Sequence, residues 1–172
     1  MNPVPELLQQ VNKKTLREHL YYLSQDPLPS RRLNHVLPGH ARSTLHEADD
    51  FIAARLACWG YPVEREPVPV QALRLDPTKP MPHQFSRPDP SDPWYTAYNL
   101  YARKPGSVLP QEILVLVAHK DSQSWTESPG AYDNAVGTVA SLEIARVLQN
   151  WAGRRSVWFL FCNEEHVPWT SE

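Results

Sequence analysis

Between residues 112 and 165 a hydrophobic run, a turn, a helical stretch and a second hydrophobic run follow one another, with a histidine and all the acids but Glu143 placed at the junctions. Ile113-Leu114-Val115-Leu116-Val117-Ala118 is continuously apolar, the pattern of a strand covered on both faces, and it stops abruptly at His119-Lys120-Asp121. Residues 156–162 have the same character and stop at Asn163-Glu164-Glu165-His166. Across 135–150, Val136, Ala140, Ile144, Val147 and Trp151 recur at helical spacing, while Glu143, Arg146 and Asn150 mark one polar stripe. A strand, a crossover helix and a strand in this length predict a right-handed βαβ unit with parallel strands. Parallel strands end on the same side, so His119, Asp121, Glu164 and Glu165 are expected at one rim of the sheet, where open α/β folds place their ligands. The turn 128–134 enters the helix at that rim and brings Asp133 to it.

These residue types suit metal-assisted hydrolysis. Two divalent ions a few Å apart need a shared carboxylate, further nitrogen or oxygen donors and a water held between them. Asp133 can share both oxygens, and His119 offers a neutral ring nitrogen. Asp121, two residues on, can take the other ring N–H and fix the tautomer. Neighbouring side chains diverge just past a strand, so one of Glu164 and Glu165 can bind metal while the other faces the water as general base. Each residue alone has a plainer reading: Asp133 as a helix cap, Asp121 as a turn former, the two glutamates as a solvated strand end. Their coincidence at one rim favours a site.

His119-Lys120-Asp121, then Gly130-Ala131-Tyr132-Asp133-Asn134-Ala135-Val136-Gly137, then Asn163-Glu164-Glu165 resemble the M28 family of di-zinc aminopeptidases. The resemblance implies a mixed, largely parallel sheet flanked by helices in an α/β/α arrangement. It implies His119 as ligand of one zinc, Asp133 as the bridge, Glu164 as general base and Glu165 as ligand of the other zinc. It also implies a cis peptide between Asp133 and Asn134. The family continues Glu-Glu-x-Gly, where this chain has His166-Val167-Pro168-Trp169-Thr170-Ser171, and it draws one more aspartate and one more histidine from farther along than Glu172. Residues 1–172 are therefore expected to be a single partial M28-like domain. The complete domain would hold two zinc ions, and this chain at most one, weakly, with negligible turnover. His166 is not expected to substitute, since the loop would have to fold back to aim it at the same ions; His46 and His83 are expected at the surface.

The function that follows is hydrolysis of N-terminal peptide bonds, with a peptide as substrate. Two readings compete: a single-zinc acyltransferase of the glutaminyl cyclase type, and a noncatalytic relative serving as an interaction domain.

Elsewhere the chain is less specific. With 17 basic and 19 acidic residues and no block of like charge, nothing argues for nucleic acid. No membrane or targeting segment is visible, which favours the cytoplasm. Cys58 and Cys162 fall in apolar stretches and read as buried thiols without a disulfide. Residues 1–14 read as a tail. Thr15-Leu16-Arg17-Glu18 and Thr44-Leu45-His46-Glu47 read as capping boxes of two helices, the second with an apolar face of Ala48, Phe51, Ile52, Leu56 and Trp59 and a stop at Gly60. The loop between them, carrying Arg31, Arg32, His35, His40 and Arg42, reads as a solvated connection. Residues 61–70 alternate as a strand restricted to an edge by Pro62, Pro67 and Pro69, and 71–93 is a Pro-rich loop or insertion. Residues 95–102 read as a strand in a hairpin with 112–118. A sheet ending near residue 162 leaves apolar surface, so self-association is expected.

Overall fold

The computed structural model describes residues 3–76, 78–80, 83–124, 126 and 128–171. Helices α1 (Val4–Gln9), α2 (Lys13–Ser24) and α3 (Thr44–Cys58) come first. Strands β1 (Val63–Gln71), β2 (Leu73–Leu75), β3 (Phe85–Ser86), β4 (Trp94–Lys104) and β5 (Leu109–His119) follow. Helix α4 (Val136–Leu148), β6 (Arg155–Cys162) and β7 (Trp169–Ser171) close the order. The main sheet runs β1-β4-β6-β5, and β3-β2-β7 form a small satellite.

The β5–α4–β6 unit forms as the hydrophobic pattern predicts, with β5 and β6 parallel and His119 opposite Cys162. Within the main sheet parallel pairing is confined to that pair, because β4 is antiparallel to both β1 and β6; in the satellite sheet β2 and β7 are parallel as well. The expected hairpin between β4 and the 112–118 strand does not form: β6 lies between them. Strand β1, with its prolines, takes an edge. Strand β5 takes the other edge, and this overturns its reading as a strand covered on both faces. Ile113, Leu114, Val115 and Val117 are all exposed, Val117 at 59%. An apolar run records β propensity, not how many neighbours the strand will have.

Alternation in β6 sets the core. Val157, Phe159 and Phe161 point to one face and pack with Leu100 and Ala102 of β4, Ile52 and Leu56 of α3, and Val139, Leu142 and Ala145 of α4. The opposite face carries Tyr101 and Trp158, both covered by the Arg103 guanidinium. The expected mixed α/β fold is present, and helices α3 and α4 pack against the Phe159 face of the sheet.

Several local expectations shift by one to three residues. Asn12, not Thr15, caps α2 by accepting from Lys14 and Thr15 main-chain N–H groups at 3.0 and 3.2 Å. Ser43, one residue before Thr44, caps α3 through His46 N–H. Gly60 ends α3 with φ +81, the left-handed stop the sequence implied. The segment read as a tail carries α1, and 71–93 carries β2 and β3. In α4 the buried face is Val139, Leu142, Ala145 and Val147, while Val136 and Ile144 face outward. Glu143, read as solvated, is buried: it accepts from Asn12 N–H at 2.6 Å and pairs with Arg146, and this ties the α1–α2 junction to α4. Cys58 is exposed and Cys162 half-buried, and both are free thiols. No helix among the described residues is long and apolar enough to cross a membrane.

Candidate metal centre

Three segments bring donors together beyond the C-terminal ends of β5 and β6. His119 is the last residue of β5, and its main-chain carbonyl accepts from Thr138 Oγ1 of α4 at 3.1 Å. Asp133 comes from the turn Ala131–Ala135, which Ala135 N–H closes onto Gly130 O at 2.9 Å. Gly130 is required there: its φ is +53, and a Cβ would stand 2.5 Å from Ser122 Cβ and 2.7 Å from Arg31 Nη2. The Asp133-Asn134 peptide is cis. Asn134, not Asp133, meets the first turn of α4, accepting from Gly137 N–H at 3.0 Å. Asp133 is thereby released from capping and turns to the histidines.

His119 Nε2 lies 3.0 Å from Asp133 Oδ1, and His166 Nε2 lies 3.4 Å from Asp133 Oδ2. The three donor atoms of His119, Asp133 and His166 all fall within 4.8 Å of one another. Tetrahedral ligands of zinc at about 2.0–2.1 Å stand about 3.3 Å apart, so the group fits one ion with little inward movement. His166 Nε2 is buried and makes no hydrogen bond, although the Asp133 carboxylate lies within ion-pair distance. The two rings meet edge-on, centroids 5.5 Å apart.

His166 reaches this point because the chain turns sharply after β6. Glu164 has φ 66, a left-handed conformation for a residue with a Cβ, at a cost on the order of 1 kcal/mol. Beyond it the satellite sheet anchors the loop: Leu73 N–H donates to Pro168 O at 2.9 Å, Asn34 Nδ2 to Trp169 O at 2.6 Å, and Ser124 Oγ to Val167 O. The expectation that His166 lies away from His119 and Asp133 therefore fails. The fold-back that sequence reasoning required of it is supplied by Glu164 and by the β2–β7 pairing, and neither is visible as periodicity.

Asp121 is almost wholly buried. Its Oδ1 faces His119 Nδ1 at 3.6 Å, just beyond hydrogen-bond contact, and its Oδ2 accepts from His166 N–H at 2.6 Å. The His119 imidazole is raised above its ordinary pKa, chiefly by the Asp121 carboxylate facing Nδ1; burial opposes this, and the charges of Asp133 and Glu165 add to it. Glu164 is pushed up to about 8 by burial, with Asp121 adding and Lys120 opposing. Both its carboxylate oxygens are buried without a hydrogen-bond partner. Glu165 is exposed and stands outside the three-donor group, although its charge reaches His119.

Beneath the site Lys120, fully buried, pairs with the equally buried Asp49 of α3 at 2.8 Å and donates to Tyr98 O at 2.7 Å. Arg31, read as part of a solvated loop, is also fully buried. No hydrophobic period marked either of these cations as buried.

Residues 99–169 match the sequence profile of peptidase family M28, on the stretch that carries all three motifs. No curated protein matches the chain in sequence. Among solved structures, a glutaminyl cyclase from Macrostomum lignano superposes with TM-score 0.68 at 17% identity, over 94% of this chain and 40% of its own. A leucine aminopeptidase precursor from Bacteroides thetaiotaomicron gives 0.67 at 16%, over 92% and 49%. A Zn-dependent exopeptidase from Parabacteroides distasonis gives 0.66 at 17%, over 92% and 48%. The chain thus shares their mixed α/β fold and spans about half their length or less.

Proposed function

We propose, on the premise that residues 99–169 are peptidase family M28 sequence, that the chain carries a zinc-dependent site acting on the N-terminal end of a peptide. The observation that supports this reading best is the convergence of His119, Asp133 and His166 from three separate segments, with the buried carboxylate oxygens of Glu164 two residues before His166 and without a hydrogen-bond partner. Three protein donors with an open position are the usual complement of a catalytic zinc ion. Zinc held there would polarise a scissile carbonyl and make water a nucleophile near neutral pH.

The remaining work falls to side chains of this chain. Asp121 sets the placement of both histidines by facing the ring of one and holding the main chain of the other. Glu164, in a pocket that disfavours its charge, is suited to take a proton from the attacking water at a carboxylate oxygen and return it to the leaving amine. Glu165, which the family resemblance assigns to a second ion, projects from the same turn into solvent.

Two products distinguish the substrate classes. An aminopeptidase releases a free amino acid, and a glutaminyl cyclase closes an N-terminal glutamine and releases ammonia. The single three-donor group among the described residues favours one ion, which suits the cyclase reading as well as it suits a one-ion peptidase. The test is to load the purified chain with zinc, measure the metal-to-protein ratio, and assay aminoacyl-nitroanilides and N-glutaminyl peptides beside a Glu164→Gln variant. The reading expects a ratio near one and zinc-dependent product from one substrate class, lost in the variant. Zinc binding without turnover of either class would favour an interaction domain, and absence of zinc binding would end the metal reading. Pairing of the exposed β5 edge with a second copy belongs to the same set of proposals, and light scattering tests it.

A further inference from the structure

Arg31 sits between α2 and α3, and all of its side chain is buried. Four of the five guanidinium N–H groups point at main-chain carbonyls of three segments: Nε to Lys120 O at 2.6 Å, Nη1 to Pro129 O at 2.8 Å and to Leu23 O, and Nη2 to Gly130 O at 2.9 Å. Its main chain pairs both ways with Ser122: Arg31 N–H donates to Ser122 Oγ at 2.8 Å, and Ser122 N–H donates to Arg31 O at 2.9 Å.

Those partners have positions that matter. Lys120 lies between His119 and Asp121, and Gly130 opens the turn that delivers Asp133. A buried cation is costly, and burial lowers Arg31 to about 10 while the charges of Asp121 and Asp133 act the other way. Among the described residues the guanidinium meets carbonyl oxygens, not a carboxylate, so its directional donors are devoted to fixing backbone. Its planar fork can satisfy several acceptors in one plane, which an ammonium on a flexible stem cannot.

We propose that Arg31 is a positioning residue: by bridging Lys120 O to Pro129 O and Gly130 O it locks the turns 119–122 and 129–133 together, holding His119 Nε2 and Asp133 Oδ1 at ligating separation before any ion arrives. The inference rests on the metal reading above only for the purpose of that separation; the bridging itself stands apart from it.

The experiment uses the full 172-residue chain and the Arg31→Lys variant, which keeps a cation but cannot span the three carbonyls. Amide hydrogen exchange is followed by mass spectrometry, and zinc affinity by competition with a chromophoric chelator. The expected result is faster exchange confined to 119–124 and 129–135, with β6 and α3 as protected as before, and zinc held about 10- to 100-fold more weakly. Unchanged exchange in both turns would overturn the proposal, as would looser turns with unaltered zinc affinity. Looser turns in the variant, with no zinc bound by either protein, would support the bridging and refute the metal reading instead. Should the variant not fold, the wild-type Arg31 Nε–H resonance decides: slow exchange with solvent supports the fork, and rapid exchange overturns it.

Discussion

Asp121 Oδ2 accepts a 2.6 Å hydrogen bond from the main-chain N–H of His166, 45 residues away, while its other oxygen faces the His119 ring. One buried carboxylate therefore faces the ring of one histidine and anchors the main chain of the other, beyond the ends of two different strands. Asp121→Asn preserves shape but removes the charge, and one end of its amide can only donate. Zinc affinity should fall by about 10- to 100-fold, with no loss of cooperative unfolding. Chelator competition on the two proteins checks this; equal affinity would confine Asp121 to shaping the turn.

His166 and Glu165 are neighbours with opposite placements, one half-buried in the donor group and the other exposed. His166→Ala should weaken zinc binding more than the Asp121 change does, while Glu165→Gln should leave it nearly unaltered. The reverse ranking, read by the same competition assay, would restore Glu165 as the ligand.

The β5–α4–β6 unit and the common rim of His119 and Asp133 were legible in the sequence, because hydrophobic runs of strand length and a turn with glycine and Asp-Asn are local signals. His166 was not, since its position depends on a left-handed Glu164 and on β7 pairing with β2, a contact between segments nearly 100 residues apart. Arg31 and Lys120 were misjudged or passed over for a related reason. Composition makes a cation in a polar loop look solvated, and only the closed tertiary structure supplies the carbonyls and the aspartate that make its burial tolerable.

Glu164 gives the metal-free protein a defined pH dependence. Its carboxyl is raised from 4.5 to about 8 in the folded chain. The folded state thus binds the proton more tightly than the unfolded state. Its contribution to stability is fully present below about pH 4.5 and is lost as pH rises through 8. Melting temperature of the metal-free protein should fall across that window, and Glu164→Gln should flatten the slope and raise the melting point at pH 8. Identical slopes in thermal scans would contradict a buried, unpartnered carboxylate.

Lys120 and Asp49 are both fully buried and 2.8 Å apart, so removing one charge strands the other. Lys120→Met should destabilise the chain by about 3–5 kcal/mol in denaturant titration. Adding Asp49→Asn should recover part of that loss, because the orphaned charge goes with it. Additive losses in the double variant would show that the two residues do not act as a pair.

The central claim is that two imidazoles and one carboxylate, those of His119, His166 and Asp133, face a single ion. X-ray absorption at the zinc edge of the loaded chain measures this directly. The account predicts imidazole scattering from two histidines, at about 2.0–2.1 Å, with the remaining positions filled by oxygen. A spectrum with no imidazole, or with one imidazole that survives unchanged in His166→Ala, would contradict it.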